Sequence, residues 1–139
     1  MNLTLKMDSV HKRLILKIKF WSNFLFLLPL LFAVFYKVAL YIPIIGTVFI
    51  ISSIYHYSNE KILVTIDMAF ALLLIFANFV LLFMGGILSP FALSALTLAL
   101  LAGYFYFRQT KHGYDLNHGL FHVFSALISI FSILTFTLR

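Results

Sequence analysis

The sequence predicts an all-α bundle of transmembrane helices, and three observations lead there. The chain has 139 residues, 63% of them hydrophobic and only 10% charged, with a mean hydropathy of +1.08; an ordinary soluble domain carries about 25% charged residues. Its apolar residues gather in five runs, 20–36, 38–57, 62–84, 87–107 and 116–138. Each is close to the roughly 20 residues of helix that cross about 30 Å of hydrocarbon. The runs do not alternate polar and apolar residues as the strands of a membrane barrel do.

Residues 1–19 hold Lys6, Lys12, Arg13, Lys17 and Lys19 and lack a small-residue cleavage site, so they read as a basic interfacial segment and not as a cleavable signal. A floppy tail is the alternative. Residues 20–139 then form a single helical domain. The first two runs contain Pro29 and Pro43, and a proline inside a helix predicts a kink because it removes one backbone hydrogen bond. Their join lies near Lys37 and is the least sharply marked. The third run ends at Gly85-Gly86, a turn signal. Pro90 falls in the first turn of the fourth, where proline is tolerated.

The net charge of +6 raises nucleic acid as a partner, but the basic residues flank the spans, where they set orientation and meet lipid headgroups, so no nucleic-acid partner is expected. With the N-terminus inside, Lys6, Lys12, Arg13, Lys17, Lys19, Lys61, Arg108 and Lys111 lie on the cytoplasmic side, and only Lys37 and Arg139 on the other. The cationic bias therefore predicts an N-in, C-out protein of the cell (inner) membrane, with any site at the basic end near the cytoplasmic face. The absence of cysteine excludes disulfides and thiolate metal sites, leaving histidine and carboxylate as ligands.

Among the polar residues inside the apolar runs, five stand out: Ser52, His56, Asp67, His118 and His122. An ionisable group at membrane depth costs about 2.5–3.5 kcal/mol on insertion scales and is by default a functional candidate. The antiparallel order of the spans brings all five to one end, within roughly 10 Å of the same interface at about 1.5 Å per residue. Ser52 and His56 are four apart on one helix face, as are His118 and His122. Three histidines with an open position form a catalytic zinc site, at which bound water ionises near pH 7. Asp67 is then the candidate general base, and Ser52 a hydrogen-bonding aid; as a fourth ligand, Asp67 would instead close the site. Singly, each has a plainer role: the histidines and Ser52 as interhelical hydrogen-bonding or packing groups, Asp67 as a charge at a helix N-terminus. Asn78 is expected to bond another helix, while His112 and Asp115 read as solvated loop residues. Asp115 and Asn117 are candidate supports for the histidines, and Tyr55, Tyr57, Tyr104 and Tyr106 suggest an interfacial belt.

The order Ser52-Ser53-Ile54-Tyr55-His56, Asp67 eleven residues later, then His118-Gly119-Leu120-Phe121-His122 resembles the signature of the CREST superfamily. That group includes alkaline ceramidases, progestin and adipoQ receptors, haemolysin III-like proteins and lipases that remodel lipid anchors. The resemblance implies Zn2+ on His56, His118 and His122, and a water on the metal that contacts Asp67 and Ser52. It covers the motif positions and the apolar framework, and makes the chain a shortened member, with five helices where the family has seven. A homodimer would supply the missing walls of the substrate cavity.

The expected function is thus zinc-dependent hydrolysis of an amide or ester bond in a membrane lipid, ceramide-like or acyl. A receptor-like or regulatory protein whose zinc ties helices together is the alternative. Haem ligation by two histidines would leave Asp67 and Ser52 without a role, and the sequence has no internal repeat of the kind transporters use.

Overall fold

The computed structural model describes residues 21–58, 60–109 and 114–139. The basic segment expected at 1–19, together with Lys111 and His112, lies outside them. Helix is the one regular structure among the described residues, with no strand. An apolar stretch, Trp21–Phe35, holds a 3-10 turn at Phe24–Phe26 followed by helix α1 (Leu27–Phe35). Four longer helices follow: α2 (Tyr41–Ser58), α3 (Lys61–Gly85), α4 (Pro90–Gln109) and α5 (Tyr114–Thr137). All four are long and apolar enough to cross a bilayer, and the protein is an integral membrane protein. Before α2, the described residues of the expected run 20–36 form the helical stretch Trp21–Phe35. That stretch reaches about 22 Å at about 1.5 Å per residue.

The prolines and turns explain the boundaries. Pro29 has no N–H to offer the Leu25 carbonyl, and the 3-10 turn at Phe24–Phe26 lies one turn before it. Pro43 does not kink α2. The helix begins at Tyr41, so Pro43 falls in its first turn, where N–H groups have no intrahelical partner, and α2 continues to Ser58. The join near Lys37 is a left-handed helix stop: Lys37 has φ 56°, Val38 N–H donates to Ala33 at 2.9 Å and Lys37 N–H to Val34 at 3.1 Å. Gly86, at φ 107°, ends α3. Ser89 Oγ then accepts the Ala92 N–H at 3.1 Å and caps α4, with Pro90 as its first residue.

Helix α5 is the hub, packed against α1, α3 and α4. Small side chains permit this: Ala126, Ser129 and Ser132 are all buried on it. At the end far from α5's start, Gly85 of α3 lies directly on the α5 backbone. A Cβ there would stand 2.3 Å from the Thr135 carbonyl oxygen. Midway along, Tyr41 donates to Asn78 Oδ1, and Asn78 Nδ2 donates to Ser129 Oγ at 3.3 Å, joining α2, α3 and α5. Asn78 thus makes the interhelical bonds expected of it.

Helices α3 and α4 share a turn but pack against α5 more than against each other. Near the turn Leu82 meets Ala92 and Ala95. Farther along, a cavity of about 170 Å3 lies between them, lined also by α2 and α5. Ile75, Phe79 and Leu96 line it and are exposed on the outer surface, so it opens sideways, toward the lipid. The up-and-down order collects the end of α2, the start of α3, the end of α4 and the start of α5 at one end of the bundle.

Candidate metal centre

Three imidazoles meet at that end. His56 lies in the last turn of α2, and His118 and His122 in the first two turns of α5. All three are buried, at 8%, 8% and 4% exposure. One ring nitrogen from each falls within 4.8 Å of the other two, the one such cluster among the described residues. Ring centroids are 4.9 Å apart for His56 and His118, 5.2 Å for His56 and His122, and 4.5 Å for His118 and His122. The convergence expected from the two four-residue spacings is present.

The geometry suits a cation. Zinc–imidazole bonds of about 2.0–2.1 Å set tetrahedral ligand nitrogens about 3.3–3.4 Å apart. His56 Nε2 and His118 Nε2 face each other at 3.2 Å, nearly that edge. The same separation admits an N–H···N hydrogen bond when one ring carries its proton on Nε2. Three neutral imidazoles with no thiolate form a set suited to zinc and other borderline divalent ions.

The outer nitrogens are also held. His118 Nδ1 lies 2.9 Å from Gln109 Oε1, at the end of α4. His122 Nδ1 lies 3.2 Å from Ser22 Oγ, in the first apolar stretch. Neither Gln109 nor Ser22 is a candidate from the sequence. Gln109 sits beside Arg108 and looks like part of a solvated basic flank, yet it is 9% exposed. Aromatic rings close the centre: Tyr114 stacks on His118 at 5.2 Å and 15°, and Phe26 meets His122 edge-on at 5.9 Å.

Ser52 and Asp67 pair with each other. Ser52 is buried on α2 one turn before His56, and its hydroxyl faces the Asp67 carboxyl across from α3. Asp67 is half-buried and stands outside the group of mutually close ligand atoms, so this arrangement gives three ligands. Asp115 lies in the first turn of α5, not in a loop, and Asn117 is buried beside His118 in sequence. Tyr57, Tyr104 and Tyr106 are exposed, as a belt requires, whereas Tyr55 is half-buried against His56, ring centroids 4.8 Å apart.

The lateral cavity adjoins the centre. Phe26, which touches His122, and Phe121, whose ring lies 6.3 Å from that of His118, both line it. Val48 and Ala71 in its wall are one turn from Ser52 and Asp67. No protein-family model, curated protein or solved structure matches the chain.

Proposed function

We propose that the protein is a zinc-dependent membrane hydrolase that cleaves an amide or ester bond of a lipid. One observation carries the reading: three buried imidazole nitrogens converge beside an apolar cavity that opens toward the bilayer. His56, His118 and His122 would hold a divalent cation, which would supply Lewis acidity toward a lipid carbonyl and a water near neutral pH. The cavity takes part of an acyl chain and so presents the adjoining carbonyl to the polar end. Asp67 accepts the proton of the attacking water and returns it to the departing amine or alcohol as the acyl C–N or C–O bond breaks, and Ser52 orients the carboxylate through its hydroxyl. Burial around the rings excludes bulk water and strengthens each of these interactions.

The order of Ser52, His56, Asp67, His118 and His122 supports placing the chain with the CREST hydrolases as a shortened member. The surplus of Lys and Arg around the same end supports a cytoplasmic face for the site, and the cell membrane is the proposed location. The test is metal analysis of purified protein together with hydrolysis of a panel of ceramides, phospholipids and acyl-amides. One equivalent of zinc with turnover that falls about 10²–10⁴-fold in Asp67→Asn is the expected result; protein purified without stoichiometric metal defeats the reading.

A second reading has its own support. The histidines and their outer partners tie together α2, α4, α5 and the first apolar stretch. A non-catalytic, receptor-like or regulatory protein would use the ion for that purpose alone. It would lose stability on chelation and show no turnover on any lipid of the panel.

A further inference from the structure

Resting on the metal reading, we propose that Gln109 and Ser22 are positioning residues that select the metal-binding tautomers of His118 and His122. A neutral imidazole carries one proton. If it sits on Nδ1, the Nε2 lone pair is free for an ion; if it sits on Nε2, the ring presents N–H and repels one. The two forms are close in energy for a free imidazole, so the outer partner decides. The Gln109 carbonyl oxygen, 2.9 Å from His118 Nδ1, is an acceptor and calls for a proton there. That leaves His118 Nε2 bare, facing His56 Nε2 at 3.2 Å. If the Gln109 amide turned over, its NH2 would donate to Nδ1 and drive the proton to Nε2. His118 would then donate a hydrogen bond to His56 across the very space an ion needs. The Ser22 hydroxyl, 3.2 Å from His122 Nδ1, accepts from that ring when its proton is on Nδ1; a hydroxyl also donates, so Ser22 holds the ring in place and biases its tautomer less than the Gln109 carbonyl biases that of His118.

Both partners come from elements that supply no ligand. Gln109 ends α4 and Ser22 belongs to the stretch before α1, while the ligands come from α2 and α5. The position of α4 at the site end is therefore coupled to whether His118 is ready for the ion. Gln109 is buried, so no bulk water competes for its carbonyl. Removing the outer hydrogen-bond partner of a metal-bound histidine typically weakens metal affinity about 10–100-fold.

The experiment uses the full chain in detergent. Zn2+ affinity is measured by competition with a chromophoric chelator, and the ligand-field spectrum is recorded with Co2+. Gln109→Leu should weaken Zn2+ binding about 10–100-fold and alter the Co2+ spectrum. Gln109→Glu, which keeps an acceptor at the same reach, should return both toward wild type. Ser22→Ala should weaken binding in the same direction, with rescue by Ser22→Thr. Because Ser22→Ala changes little volume, it tests the idea even if Gln109→Leu misfolds. If wild type binds the metals but Gln109→Leu and Ser22→Ala bind them equally well, the tautomer proposal is overturned and the metal reading stands. An equal loss in Gln109→Leu and Gln109→Glu assigns Gln109 to packing and also overturns it. No binding by wild type defeats the metal reading itself.

Discussion

Replacing Gly85 by alanine should loosen the bundle at the end opposite the metal centre. The added Cβ would lie 2.3 Å from the Thr135 carbonyl oxygen, 2.5 Å from its carbonyl carbon and 2.6 Å from the Phe136 nitrogen. Real side-chain carbons essentially never come closer than 3.0 Å. The two helices must therefore part by at least about 0.7 Å, and the obstacle is backbone of α5, which no rotamer change can move. Overpacking of this kind costs about 1–3 kcal/mol. The seam it strains also includes the Arg139 guanidinium, which donates to the Met84 carbonyl at 2.9 Å. Reversible unfolding in mixed micelles is the assay, with Gly46→Ala and Gly103→Ala alongside. A Cβ at either of those helical positions meets nothing within 4 Å. Those changes should be neutral or stabilising by up to about 1 kcal/mol, through helix propensity. A Gly85→Ala protein whose stability lies within about 0.5 kcal/mol of wild type would refute the close approach of α3 and α5.

His118→Ala should abolish stoichiometric zinc binding, because it removes the ring that lies between Gln109 and His56; zinc retained at one equivalent in the purified variant would argue against the three-histidine centre. Chelation of wild type should lower its unfolding midpoint, since an ion at about a hundred times its dissociation constant contributes about 2.7 kcal/mol, and the same chelator should leave His118→Ala unchanged. Asp67→Asn should lower lipid turnover about 10²–10⁴-fold, the usual contribution of a general base, while zinc content stays at wild-type level because Asp67 lies outside the ligand group; loss of the metal would instead make Asp67 a ligand. Asn78→Leu should destabilise the bundle by about 1 kcal/mol, within the range measured for interhelical hydrogen bonds in membranes. Unfolding titration of that variant would detect the lost links to Tyr41 and Ser129.

Much of this arrangement is written locally. The apolar runs give four long helices because some twenty mostly apolar residues have few other stable forms in lipid. Gly85-Gly86 and Ser89-Pro90 mark the α3–α4 turn through conformations that few other residues favour. The histidine cluster follows from two four-residue spacings plus the direction of each span, so it too is legible. Contacts between distant stretches are not. Ser22 and His122 are 100 positions apart, and no periodicity connects them. Gln109 follows an arginine and carries no sign of burial in its neighbours' chemistry. Pro43 looks like a kink only while the start of α2 is placed three residues too early. The separation of α3 from α4 is hidden as well, because a short turn implies neighbours in contact. It takes the small residues of α5 to draw both helices toward a third.

The centre's three nitrogens are divided unequally along the chain: one near the end of α2, two at the start of α5. A partly inserted chain, with only its first four helices in the bilayer, offers one of the three clustered imidazoles. A three-histidine site for an ion is therefore complete only after the closing helix has entered, and an ion held by all three rings would mark a finished membrane assembly.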